Sequence, residues 1–170
     1  MCIRDRAQGG TVSFDPNVRL SLFKDPKICK KLILEFLPCA DILKISEDEM
    51  EFIFDTADAG ACFQKVKELG IRLFVVTRGK DGADLYAEGF SAKSTAPEVD
   101  CADTTGAGDA FVAAMLTFLE EHGGIDGILH QDAAEELLRF SCAAGSLTAT
   151  KEGAIESAPT RLELDAFLQK

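Results

Sequence analysis

The run Ile71-Arg-Leu-Phe-Val-Val-Thr77 is nearly unbroken in apolar and β-branched residues. A strand with one wetted face alternates polar and apolar residues. This one does not, so both its faces must be covered, the condition of a central strand in a parallel sheet with helices on either side. The flanking segments supply the other parts. Thr11 to Asp15 alternates and reads as a strand ended by Pro16-Asn17. Asp25-Pro26 opens a helix with proline at its first position, and Leu32, Ile33, Phe36 and Leu37 give it an apolar face. Asp41 to Ile45 is a short strand, and Ser46-Glu-Asp-Glu49 has capping-box spacing that starts a helix through Phe54. A second helix is expected from Ala57 to Leu69, with Phe63, Val66 and Leu69 inward and Gly70 stopping it.

Beyond the central strand, Arg78 to Gly82 is a turn, and residues 83–87 and 90–94 read as the arms of a small antiparallel hairpin. Three helices follow. The first, Asp109 to Glu121, has Phe111, Val112, Met115, Leu116 and Leu119 on its apolar side. The second, Asp132 to Thr148, is rich in small residues (Cys142, Ala143, Ala144, Gly145, Ser146). The third, Thr160 to Leu168, opens on a second capping box, Thr160 with Glu163. Strands alternating with helices make the class α/β with a mainly parallel sheet.

Charge and composition narrow the function. At 170 residues the chain suits one domain with a sizeable core. A net charge of −11 argues against nucleic acid as a partner, which would need a basic stripe. It does not argue against ATP, whose phosphates need only local N–H groups and a metal ion. No apolar run approaches the roughly 20 residues that span a bilayer, so no membrane partner is expected. Arg4, Asp5 and Arg6 lead into no signal-peptide stretch. The six cysteines form no C-x-x-C pair and only two histidines accompany them, a composition that argues against zinc and fits a reducing cytoplasm. Residues 1–6 have no helical or strand period, and read as an artefactual tail joined to a domain over 7–170.

The chemistry concentrates in Asp103-Thr-Thr-Gly-Ala-Gly-Asp109. Gly106, Ala107 and Gly108 stand directly before an amphipathic helix, so their N–H groups can converge on one spot where the helix dipole adds roughly half a positive charge. A carboxylate beside such an anion hole repels bound phosphate. It makes sense if Asp109 accepts a proton from a hydroxyl while the backbone stabilises a phosphoryl group in transfer. The alternative is that Asp109 is an ordinary N-cap after a flexible loop. A Rossmann oxidoreductase would need G-x-G-x-x-G after an early strand, but Gly106-Ala-Gly108 comes late and Phe111 occupies the third glycine's place. A P-loop fails because Gly79-Lys80 is followed by Asp81.

Residues 103–116, Asp-Thr-Thr-Gly-Ala-Gly-Asp-Ala-Phe-Val-Ala-Ala-Met-Leu, resemble the C-terminal signature of ribokinase-like (PfkB-type) sugar kinases along their whole length. The resemblance implies a three-layer α/β/α fold with a mainly parallel sheet. It also implies a chain truncated at its N-terminus and lacking the β-clasp lid through which a full-length homodimer would form. It makes Asp109 the catalytic base and residues 106–108 the anion hole, with ATP and Mg2+ as cofactors. Val76-Thr77-Arg-Gly79-Lys-Asp-Gly82 is similar to the family's nucleotide-contacting strand and turn, which nominates Thr77, Gly79 and Gly82. Ser46-Glu-Asp-Glu49 resembles the N-x-x-E motif tied to magnesium and phosphate, with serine in place of asparagine; a plain capping box is the other reading. Residues 140–154 resemble the adenine-side helix and loop, where Ala144 and Ser146 would leave room for the base. Close helix packing explains them equally. Asp103, Thr105, Gly153 and Ser157 match the positions of a monovalent cation such as K+.

Phe14-Asp-Pro-Asn17-Val-Arg19-Leu resembles a segment of fructokinases and 2-keto-3-deoxygluconate kinases, which sets Asn17 and Arg19 toward substrate or phosphate. The alternative is a turn and a surface charge. Together with residues 148–155 it ranks fructose first as acceptor, the keto-deoxy acid second and ribose third. A nucleotide-binding fragment without catalysis is the alternative of a different class.

Overall fold

The computed structural model describes residues 8–169; the segment 1–6 read as a tail lies outside them. The chain divides into two compact units, one of Met1–Thr77 with Tyr86–Gly89, the other of Arg78–Leu85 with Phe90–Lys170.

The first unit carries β1 (Ser13–Phe14), α1 (Pro26–Phe36), β2 (Ile42–Ser46), α2 (Glu47–Phe54), α3 (Ala59–Glu68) and β3 (Leu73–Thr77). β1, β2 and β3 are parallel, with Ser13 opposite Ile42 and Ile42 opposite Leu73. Each helix starts where a side chain caps it: Asp25 accepts from the Lys27 amide, Asp58 from the Ala61 amide, and Ser46 closes the capping box with Glu49. The strand pleat sends Leu43, Ile45, Phe74 and Val76 to one face, where they pack with Ile33, Leu37, Met50, Ile53, Cys62 and Val66. On the other face Ile42, Leu73 and Val75 are equally inaccessible, so the two-sided burial expected of residues 71–77 holds for β3.

Burial pushes the Cys62 thiol up, and moves the Cys142 thiol in the second unit to about 11. Both stay protonated and inert at neutral pH.

The second unit holds α4 (Ala107–Glu121), α5 (Gln131–Ala149) and α6 (Arg161–Leu168), with β5 (Phe90–Ser94). β4 (Ala83–Ala87) is shared by both units. The strand order is β1-β2-β3-β4-β5. Only Glu88 and Gly89 join β4 to β5, a connection short enough to require an antiparallel pair. α4 packs on α5, with the Phe118 and Phe140 rings 5.9 Å apart. The Arg161 guanidinium of α6 sits 5.0 Å over Phe140.

Several sequence expectations are corrected. β1 has two residues, not the five of Thr11 to Asp15, because a strand extends only as far as its neighbour pairs with it. Leu32, Leu69 and Leu116 are about half exposed rather than inward. Leu32 and Leu116 lie at the margin of their helical stripes, where periodicity does not say which edge meets the core, and Leu69 is the C-cap just past the end of α3. Their places are taken by Cys29 in α1, Cys62 in α3, and Ala114 and Phe118 in α4. Among the described residues no helix is long and apolar enough to cross a membrane.

Phe74 is fully buried at the centre of the first unit's core. Replacing it with alanine is expected to lower the unfolding free energy by about 3–5 kcal/mol, measured as an earlier midpoint in urea.

Candidate active site

In the second unit the helix α4 begins two residues earlier than its sequence suggests. Gly106 is the N-cap, in a left-handed conformation with φ +81°, and Ala107, Gly108 and Asp109 form the first turn. A Cβ on residue 106 would stand 3.0 Å from the Ala154 Cα, so both the backbone angle and the space require glycine. Asp109 is therefore the third residue inside the helix, not its N-cap. Its side chain is exposed on the helix mouth, available to a hydroxyl group. The Ala107 N–H is already donated to the Thr104 carbonyl at 3.2 Å. Of the amides expected to converge there, the first-turn N–H of Gly108 is one of those that a helix leaves without an intrahelical partner.

The four residues matched to a cation position come together in this unit. One Asp103 oxygen, Oδ1, accepts from the Thr105 amide at 2.9 Å and the Thr105 hydroxyl at 2.6 Å; Oδ2 accepts from the Gly153 amide at 3.2 Å. The Ser157 hydroxyl, itself buried, reaches the carbonyls of Gly153 (2.5 Å) and Ala154 (2.9 Å). The Thr105 hydroxyl, followed by the Thr105 and Gly153 amides, holds the Asp103 carboxyl below the usual carboxylate range. No group of three or more His, Cys, Asp or Glu suited to a metal occurs among the described residues. A cation here would be held by one carboxylate with hydroxyl and carbonyl oxygens, a set that suits hard ions.

The turn after β3 is tightly built. Arg78 N–H donates to Gly82 O at 2.8 Å and Gly82 N–H to Gly79 O at 3.1 Å. Gly79 and Gly82 have φ of +55° and +98°. A Cβ on Gly82 would lie 2.0 Å from the Ser94 carbonyl oxygen, whereas the exposed Gly79 meets nothing. Asp84, almost fully buried, pairs with Arg78 and, at 3.4 Å, with Lys93. Sequence reading passed over Asp84; its signal was a carboxylate inside an apolar strand.

Ala144 and Ser146 sit in the packed interior at 2% and 8% exposure, and the Ser146 hydroxyl donates to Pro97 O at 3.1 Å. Close packing around α5 accounts for the burial of both. Between them, Gly145 lets α5 come up to α4, since a Cβ there would stand 3.2 Å from the Ala107 carbonyl oxygen.

In the first unit Ser46 and Glu49 form the full capping box. The second Glu49 oxygen accepts from the Val18 amide at 2.6 Å. Both carboxylate oxygens thus hold backbone amides, so Glu49 has a structural task whatever else it binds. Asn17 takes a left-handed φ of +44° and is exposed, as is Arg19. The Thr77 hydroxyl donates to Ile45 O at 3.4 Å. Sequence reading also missed Lys44 and Asp15, whose side chains pair at 3.1 Å with little exposure.

The family profile described as "pfkB family carbohydrate kinase" matches residues 2–161. The chain belongs to the pfkB family of carbohydrate kinases. Fructokinase-2 of Solanum lycopersicum is 37% identical over 168 residues, a match covering 95% of this chain and 49% of the relative. Among solved structures, a double mutant of the Vibrio cholerae fructokinase, bound to fructose, ADP and potassium ion, superposes with a TM-score of 0.88. It is 30% identical, over 98% of this chain and 53% of that one. The aminoimidazole riboside kinase of Salmonella enterica, complexed with aminoimidazole riboside and an ATP analog, gives 0.84 at 30% identity, over 99% and 56%. The chain spans about half the length of the relatives it matches. Its fold is ribokinase-like α/β, as the signature at residues 103–116 implied.

The Asp103 cluster makes a titration prediction. Its hydrogen bonds are made to the ionised carboxylate, so they are present above the ordinary aspartate value of 3.8 and lost as pH falls through the lower folded midpoint. Carboxyl NMR titration is expected to put the Asp103 midpoint below 3.8, and Thr105→Val to move it up.

Proposed function

We propose that the protein transfers the γ-phosphoryl group of ATP to a hydroxyl of a sugar, fructose in first place, giving fructose 6-phosphate. The observation that carries this is Asp109 in the first turn of α4, exposed behind a glycine N-cap within a family-matched segment. Its carboxylate takes the hydroxyl proton as the sugar oxygen attacks phosphorus and the bond to the ADP leaving oxygen breaks. The first-turn amides, with the positive end of the helix dipole, hold the charge gathering on the phosphoryl oxygens. The Gly106 turn sets their direction, and the Ala107 amide supports the turn rather than the phosphate.

We assign the turn of Gly79 and Gly82, with Thr77, to the nucleotide. The exposed, left-handed Gly79 allows a ligand to lie close against backbone, while Gly82 closes the turn against Ser94. Mg2+ would accompany the ATP phosphates and neutralise their charge; Glu49 and Ser46 are the protein groups assigned to that region. The oxygen cluster of Asp103, Thr105, Gly153 and Ser157 fits a monovalent cation such as K+, by its chemistry. Asn17 and Arg19 are assigned to the acceptor. A reducing cytoplasm is the compartment that five thiols, none paired among the described residues, fit best.

Fructose is preferred because the relatives at 37% and 30% identity are named fructokinases. A second acceptor class, a riboside, is favoured by the Salmonella likeness. A panel of fructose, ribose, 2-keto-3-deoxygluconate and an aminoimidazole riboside, assayed with the complete gene product, separates them. Phosphorylation of another member of the panel but not fructose overturns the first choice. Asp109→Asn is expected to lower kcat by at least about a hundredfold while ATP binding, measured by calorimetry, stays near wild type. Undiminished turnover removes Asp109 from its role.

A further inference from the structure

Lys44 stands in the middle of β2, between Leu43 and Ile45, which are both fully buried. Its own side chain is 8% exposed, and its ammonium meets Asp15 Oδ2 at 3.1 Å, with the Asp15 side chain 18% exposed. Asp15 lies just past the end of β1. Its other oxygen, Oδ1, accepts from the Asn17 amide at 3.1 Å. One residue on, the Val18 amide donates to Glu49 Oε1 at 2.6 Å, and Glu49 is itself buried. Two charged side chains from β2 and the start of α2 thus secure residues 15–18 from below. Between the two anchors Asn17 holds the left-handed φ of +44°, a conformation asparagine accepts more readily than other side-chain-bearing residues.

A buried ion pair is a poor source of net stability, since desolvating both charges consumes most of the attraction; apolar residues of like volume often do as well or better. What such a pair supplies is a fixed geometry. Here the geometry belongs to a short exposed turn bearing the two residues assigned to the acceptor. We propose that Lys44 is a positioning residue for the acceptor sugar: through its buried pair with Asp15 it fixes the left-handed turn that presents Asn17 and Arg19. Glu49 holds the far side of the same turn through the Val18 amide. This rests on the sugar-kinase reading and adds to it a determinant of acceptor affinity outside any binding surface.

The test is steady-state kinetics and amide hydrogen exchange on the complete gene product carrying Lys44→Met, which keeps the length of the side chain and removes its charge. The expected result is a rise of about tenfold or more in KM for the sugar, from displacement of the binding groups, while KM for ATP stays within about twofold. The Asn17 and Val18 amides should exchange faster while those of α5 are unchanged. Lys44→Arg, which keeps the charge, should recover part of the sugar affinity. If Lys44→Met does not accumulate as folded protein, Asp15→Asn takes its place, since it preserves size and the acceptor for the Asn17 amide. An active enzyme whose variant leaves the sugar KM unchanged, or raises both KM values together, overturns the positioning role and leaves the proposed function standing. A wild-type protein that phosphorylates no sugar overturns the function and this inference with it; the exchange data then still report whether Lys44 orders the turn.

Discussion

The left-handed backbone at Gly106 governs the second unit. With φ at +81° and the Ala154 backbone where a Cβ would point, the chain turns abruptly out of the Asp103 cluster into α4. That turn decides that Ala107, Gly108 and Asp109 occupy the first helical turn, and so that a carboxylate and the first-turn amides share one helix mouth. Asp103 braces the approach from one side through Thr105 and from the other through Gly153, 50 residues further along the chain. Ser157 locks the far loop by its two carbonyl contacts. Loss of any of these braces would loosen the turn that leads into α4 and carries Asp109 at its start.

What could be read from sequence was whatever is settled within a few residues. The capping boxes at Ser46 with Glu49 and Thr160 with Glu163 both form, because each is closed by side chains three residues apart. The two-sided burial of β3 was legible from composition alone. The start of α4 was misjudged because Gly106 and Gly108, on either side of Ala107, look like loop in propensity. Only the left-handed angle at the first of them shows that the other two are helical. Ala144 and Ser146 are buried, and their small size reads equally as room for a ligand or for an approaching helix.

Lys44 and Asp15 escaped for a different reason. They are 29 residues apart, and no local pattern announces that a lysine in an apolar strand will find a carboxylate beyond the end of the neighbouring one. Asp84 is similar: its partner Arg78 belongs to a turn whose closure depends on glycine angles. Glu49 shows the converse case. Its motif suggested metal and phosphate, and the structure gives it two backbone amides to hold, one in its own helix cap and one in a distant loop.

The approach of α5 to α4 at Gly145 has a consequence for how such a chain can vary. With the Ala107 carbonyl oxygen 3.2 Å from where a methyl would sit, any side chain at 145 bears directly on the first turn of the neighbouring helix. A single carbon atom there would require the first turn of α4 to give by a few tenths of an ångström. The tolerance of position 145 is therefore set by how far the start of α4 can give way, and a variant could keep its fold while shifting that first turn.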